Sequence, residues 1–190
     1  KNLAYFADGT LKAIIMKNLQ SAGIFRLLND DELEVQETAM NLLRNLIHGD
    51  TESIQELIVG KNGTDLLEIL VRRFRNTHDD GLLIESLFVL CNLAACYNET
   101  QKLTLLTDEI LGFVLSFMKH QNKEVRSTAV WTLINLTWKD DAEYENRVEI
   151  LQRHGCVEKL EELLNDPDVD VRDRSKQCLE QIQGKSKQSN

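Results

Sequence analysis

Val125-Arg-Ser-Thr-Ala-Val-Trp-Thr-Leu-Ile-Asn-Leu136 decides the fold, because weaker copies of it recur along the 190 residues. Anchored on its last two residues, the copies are Asn2-Leu3, Asn45-Leu46, Asn92-Leu93, Asn135-Leu136 and a degenerate Gln181-Ile182, at steps of 43, 47, 43 and 46 residues. A period of about 40–47 residues that reads as helix throughout predicts a helical solenoid. Such a chain has no single closed core and offers a long curved surface to partners instead.

Working outward from that stretch, each period carries three runs of apolar spacing. In the last one, helices are expected at 147–154, 156–164 and 169–183, with Gly155 ending the first and the turn Asn165-Asp-Pro167-Asp holding the only proline. The earlier triplets are 11–18, 22–28 and 33–48, then 53–59, 63–74 and 81–96, then 100–106, 108–120 and 123–138. Asp31 with Glu34, and Asn122, stand where the N-caps of two third helices are expected. Six positions before each Asn sits a small residue (Ala39, Ser86, Ala129, Ser175), and two before it a leucine (Leu43, Leu90, Leu133, Leu179). Small residues where helices cross allow the 8–10 Å approach of close helix packing.

Three helices per period favour armadillo over HEAT repeats. The expected fold is all-α: a right-handed armadillo superhelix of about four three-helix repeats, the third helices lining its concave side. The expected division is the end of a truncated repeat at 1–10, repeats at 11–48, 49–96 and 97–138, a capping repeat at 139–183, and a polar, disordered tail at 184–190.

Composition narrows the function. Hydrophobic residues at 42%, one proline and nine glycines fit packed helices rather than a loop-rich chain. A net charge of −9 disfavours nucleic acid and anionic membrane, since both call for a basic face. Cys91, Cys96, Cys156 and Cys178 form no Cys-x-x-Cys pair and read as reduced thiols of a cytoplasmic or nuclear protein. No His follows Cys91 and Cys96 at metal-ligand spacing, so neither metal nor other cofactor is expected. His48, His78, His120 and His154 fall at helix ends or loops, where they complement carbonyls, and form no Ser-His-Asp arrangement. Gly60-Lys-Asn-Gly63 lacks the spacing of a phosphate loop, and neither catalysis nor a small-molecule substrate is expected.

The candidate site is on the third helices. Positions four apart share a helix face, which places Trp131 over Asn135, with Trp138 one turn further on. An Asn amide offers a donor and an acceptor together, matching a peptide group, and an indole offers broad, stiff contact area. The equivalent pairs are Asn41/Asn45, Phe88/Asn92 and Gln177/Gln181, so only one copy carries the full Trp-x-x-x-Asn form. The alternative use of these residues is structural: Asn45, Asn92 and Asn135 bridge neighbouring third helices, and Phe88 and Trp131 serve packing. Arg72, Arg73 and Arg75 read as helix-dipole complements on a solvated face. The acidic pairs Asp30-Asp31, Asp79-Asp80 and Asp140-Asp141 read as solvated turns, or else as a rim selecting basic segments.

Several stretches resemble the armadillo repeat-containing protein 8 family, whose members are the armadillo subunits of the GID/CTLH E3 ubiquitin ligase. They are Ile24-Phe-Arg-Leu-Leu-Asn-Asp30, Thr38-Ala-Met-Asn-Leu-Leu-Arg-Asn-Leu-Ile47, Leu87-Phe-Val-Leu-Cys-Asn-Leu-Ala94 and Arg147-Val-Glu-Ile-Leu-Gln-Arg-His-Gly155. The most specific is Ala129-Val-Trp-Thr-Leu-Ile-Asn-Leu-Thr-Trp138 with the acidic stretch after it. The resemblance covers essentially the whole chain and implies the C-terminal solenoid part of a non-catalytic scaffold. It further implies docking of a substrate receptor's C-terminal tail, other ligase core subunits as partners, proteasomal degradation of the targets, and residence in cytoplasm and nucleus. The tail would meet Asn41, Asn45, Phe88, Asn92, Trp131, Asn135 and Trp138. The alternative is an adaptor of another kind, such as a nuclear-import receptor gripping basic signals, which uses several consecutive full pairs.

Overall fold

The computed structural model describes residues 7–48 and 65–184, and among these there are ten helices and no strand. The chain divides into two compact units, Lys1–Cys96 and Tyr97–Asn190. The first unit holds α1 (Gly9–Leu28), α2 (Leu33–Ile47), α3 (Asp65–Asn76) and α4 (Asp80–Cys96). The second holds two triplets, α5 (Glu99–Leu103), α6 (Asp108–Phe117) and α7 (Lys123–Leu136), then α8 (Tyr144–Arg153), α9 (Cys156–Leu163) and α10 (Val169–Ile182). The expected all-α architecture is borne out. The helix expected at 53–59, the stretch 1–6 and the tail beyond Gly184 lie outside the described residues.

The long third helices build each unit. In the first, α2 packs along α4; in the second, α7 packs along α10. The small residues sit at these crossings as expected, with Ala39 5% exposed and Ser86, Ala129 and Ser175 fully buried. The two serines donate their hydroxyls to the carbonyls one turn back, Ser86 to Leu82 and Ser175 to Val171, each at 2.7 Å, so the close approach leaves neither hydroxyl unpaired. Leu43, Leu90, Leu133 and Leu179 are all buried.

Two local expectations are corrected. Residues 11–18 and 22–28 do not form separate helices, because α1 runs unbroken through them. Gly23 keeps a negative φ there, and a glycine with no need of the left-handed region weakens a helix by about 1 kcal/mol without ending it. Gly155 does adopt φ 76, which separates α8 from α9. The second correction concerns the cap before α2. Glu32, not Asp31, occupies the N-cap position and makes no side-chain cap bond. The Asp30 carboxylate accepts the Glu32 N–H at 3.0 Å in its place. Asn122 caps α7 as expected, accepting the Glu124 N–H at 2.9 Å.

That Asp30 contact recurs in every described repeat. Thr77 Oγ1 accepts the Asp79 N–H at 3.2 Å, His120 Nδ1 accepts the Asn122 N–H at 3.1 Å, and Asp166 Oδ1 accepts the Asp168 N–H at 2.9 Å. The four residues are spaced 47, 43 and 46 apart, matching the Asn-Leu steps. In three repeats a side chain on the third helix also reaches back to the turn. Gln36 donates to the Asp30 carbonyl, Arg126 to the His120 and Gln121 carbonyls at 2.8 Å each, and Arg172 to those of Asp166 and Pro167 at 2.6 and 3.1 Å. Leu83 fills the corresponding place in the remaining repeat and is buried.

Arg126 does a second job. Its Nε and Nη2 grip both oxygens of Asp166 at 2.7 and 2.9 Å, tying α7 to the turn that opens α10. Burial pushes the Asp166 carboxyl up, but the Arg126 bonds and the Asp168 N–H together outweigh it and hold the group below its ordinary value. A carboxylate depressed in the folded state stabilises fully above its unfolded value of about 3.9, and that stabilisation is lost as pH falls through the folded value. Asp166→Asn is therefore expected to be less stable than wild type at pH 7 and to lose less on acidification. Urea midpoints measured from pH 7 down to pH 3 check this, and parallel acid limbs in the two proteins would contradict it.

Candidate functional site

In the first unit the candidate residues lie between α2 and α4. Asn45 is buried and donates to the Asn41 carbonyl at 2.9 Å; Asn41 donates to Glu85 Oε1 at 2.9 Å. Asn92 donates across to the Arg44 carbonyl at 2.9 Å, an inter-helix bridge. Arg44 pairs with Glu85 at 3.0 Å, and its guanidinium lies 4.6 Å from the centre of the Phe88 ring. Each of the three amides thus has a donor engaged within the unit.

In the second unit, α7 buries Val125, Thr128, Ala129, Val130, Thr132, Leu133, Ile134 and Leu136, while Trp131 on the same helix is 39% exposed. Asn135 follows one turn later and is half-buried. Trp138 is 50% exposed but not helical, since α7 ends at Leu136 and Thr137 forms its C-cap. The expected extra turn is absent because Thr137 leaves the helical region at φ −103, ψ 26, and the Leu136 carbonyl that a further turn would need is taken by Arg147. The loop carrying Trp138 is held by charge. Asp141 accepts from both Lys102 and Arg147, and the fully buried Arg147 also donates its Nε to the Leu136 carbonyl at 2.7 Å. At the Gln177/Gln181 position, Gln181 Oε1 accepts from the Thr137 hydroxyl at 3.1 Å and its carbonyl accepts from the Tyr144 hydroxyl.

The partner of Trp131 was not legible in the repeat. Arg174 on α10 places its guanidinium 4.2 Å from the indole centre, while its Nε pairs with Asp170 at 2.8 Å. Both aromatic positions of the pattern, Phe88 and Trp131, therefore carry a protein arginine over the ring. The signal that would have found them is a cation about one period away, because neighbouring third helices lie side by side at that offset.

Other candidates are absorbed by the fold. Arg72 donates to Asn29 and Arg73 to the Leu28 carbonyl, so two of the three basic residues bind the end of α1 rather than facing solvent alone. Asp30, Asp79 and Asp141 are engaged in caps or ion pairs. His154 complements a carbonyl as expected, Nδ1 to Ile150 O at 2.7 Å, with Nε2 on Asp108 at 3.0 Å; these contacts raise its pKa. Burial pushes the Cys156 thiol up to about 12 and raises Cys178 as well, which removes both as nucleophiles. Among the described residues no group of His, Cys, Asp or Glu could hold a metal ion, and no helix is long and apolar enough to cross a membrane.

Residues 88–190 match the family model Cnd1, described as non-SMC mitotic condensation complex subunit 1. By this match over more than half its length, the chain belongs to the Cnd1 family. Over nearly its whole length it is similar to armadillo repeat-containing protein 8, bearing out the resemblance seen in the sequence. Identity is 27% over 180 residues for the proteins of Pongo abelii and Mus musculus, covering 95% of this chain and 26% of each relative. GID complex subunit 5 of Schizosaccharomyces pombe is 24% identical over 94% of this chain and 29% of its own length. The chain thus spans about a quarter of the length of the curated relatives it matches. Among solved structures, a designed armadillo repeat protein in complex with the peptide (KR)4 aligns with a TM-score of 0.81 at 22% identity, over 95% of this chain and 71% of that one. A computationally designed armadillo repeat protein for modular peptide recognition aligns at 0.79 and 21%, over 92% and 69%. The fold is the armadillo repeat.

Exposure separates Trp131 from its neighbours energetically. Trp131→Ala is expected to cost no more than about 2 kcal/mol, its cation–π contact included, whereas Leu133→Ala costs about 2–5 kcal/mol. Thermal and urea unfolding followed by circular dichroism checks the order; equal losses would make Trp131 a core residue.

Proposed function

We propose that this chain is part of a non-catalytic scaffold in a GID/CTLH-type E3 ubiquitin ligase. In this reading the third-helix faces take up the C-terminal tail of a substrate receptor, for ubiquitin-dependent proteasomal degradation in cytoplasm and nucleus. The observation that carries the reading is the half-exposed Trp131 on a helix whose other large apolar residues are buried. An aromatic held out to solvent on a rigid helix, with an amide one turn away, has the form of a binding hot spot. The choice of assembly rests on the relatives. Likeness to armadillo repeat-containing protein 8 and GID complex subunit 5 spans 94–95% of the chain, whereas the condensation-subunit model covers little more than half.

A nuclear-import type of adaptor for basic signals is the other reading of an armadillo face, and the (KR)4 complex of a designed relative illustrates that chemistry. It is disfavoured by the arginines already lying over Phe88 and Trp131. A peptide lysine or arginine would meet a like charge at the very ring it needs.

Affinity capture of the tagged intact parent protein from cells, followed by quantitative mass spectrometry, tests the proposal. Ligase subunits are expected with wild type. Trp131→Ala should reduce recovery of the substrate receptor by at least about 30-fold, the equivalent of 2 kcal/mol, and leave the other subunits in place. Recovery of an importin-β-type partner without ligase subunits would contradict it.

A further inference from the structure

Arg174 is held on two sides. Its guanidinium lies over Trp131, and its Nε pairs with Asp170, whose carboxylate also accepts from Ser127. Among the described residues its two Nη groups have no hydrogen-bond or ion-pair partner, and the side chain is 26% exposed. A stacked and anchored guanidinium has little rotamer freedom left to lose, and its remaining edge is a fork of parallel N–H donors matching a carboxylate. Beside that fork, the exposed part of the indole offers apolar contact.

We propose that the Trp131–Arg174 rung recognises an Asp or Glu side chain flanked by an aromatic or aliphatic residue in an extended partner segment. The carboxylate meets the Nη edge of Arg174 and the apolar neighbour covers the indole. The inference rests on the third-helix docking proposed above and adds the chemistry of the segment. The exposed carboxylates of Asp170, already paired with Arg174, and of Glu124 and Asp173 on the same two helices, with the overall charge of −9, set a limit: a single acidic residue in an otherwise neutral segment fits, and a polyacidic run is repelled. A cationic segment is rejected by Arg174 itself.

The test is selection from a library of N-acetylated, C-amidated octapeptides on the purified chain, with (Lys-Arg)4 as basic reference and binding measured by fluorescence anisotropy. Enrichment of one Asp or Glu beside an apolar residue is expected, with (Lys-Arg)4 binding at least about tenfold more weakly than the selected peptide. Arg174→Gln should weaken the selected peptide about tenfold, and Arg174→Lys, which keeps the charge but not the fork, should weaken it less. The Asp-to-Asn or Glu-to-Gln version of the peptide should bind wild type and Arg174→Gln equally. Matching thermal melts of the variants exclude misfolding as the cause. Enrichment of Lys or Arg, no enrichment at all, unchanged affinity in Arg174→Gln, or binding that appears only with a free C-terminal carboxylate would overturn the assignment. Continued capture of ligase subunits by the wild-type parent would then leave the assembly reading standing, so the two failures are distinguishable.

Discussion

The turn before each third helix is the constraint on which the rest depends. A helix start leaves backbone N–H groups without intrahelical partners, and a turn packed between helices must satisfy them locally. Here one residue two positions before the N-cap accepts the cap's own N–H in all four described repeats, through Asp30, Thr77, His120 and Asp166. Three unlike side-chain types do the same work, because only an acceptor at that reach is needed. Arg126 and Arg172 then hold the turn carbonyls from the helix side. Direction and starting point of the third helix are fixed together.

With its start fixed, a third helix can present small residues to its neighbour and an aromatic one on another face at constant register, half-buried at Phe88 and exposed at Trp131. Ser86 and Ser175 are buried at the crossings with their hydroxyls returned to their own helices. The opposite faces carry Phe88 and Trp131, each with an arginine over the ring and each arginine paired with a carboxylate. The Arg174–Asp170 pair lies near the surface and contributes little stability, whereas Arg44–Glu85 is partly buried. What the two pairs fix is the position of each arginine over its ring.

The repeat was legible because close packing restricts residue choice. Ala39, Ser86, Ala129 and Ser175, with the four leucines, announce where helices cross. Gly155 was readable too, since a positive φ is a demand few residues meet. The sites of failure are those where several residues serve equally. Asp30, Asp31 and Glu32 are adjacent acids, and only the backbone geometry decides which of them caps. Gly23 resembles a breaker in sequence but sits in continuous helix. The candidate site was half legible: Trp131 stands out by spacing. Arg174 lies 43 residues beyond it, and the long arginine side chains that reach across helices carry no periodic signature of their own.

A double-mutant cycle on Arg126 and Asp166 measures most directly how firmly such a turn is held, here by the preceding third helix. Each partner is replaced by leucine, singly and together, and unfolding free energies are taken from urea titrations at pH 7. The account predicts a coupling of about 2–3 kcal/mol, because both partners are largely buried and a single replacement strands the other charge. A coupling below about 0.5 kcal/mol, the range of exposed ion pairs, would mean that the turn and the third helix are not held together in this way.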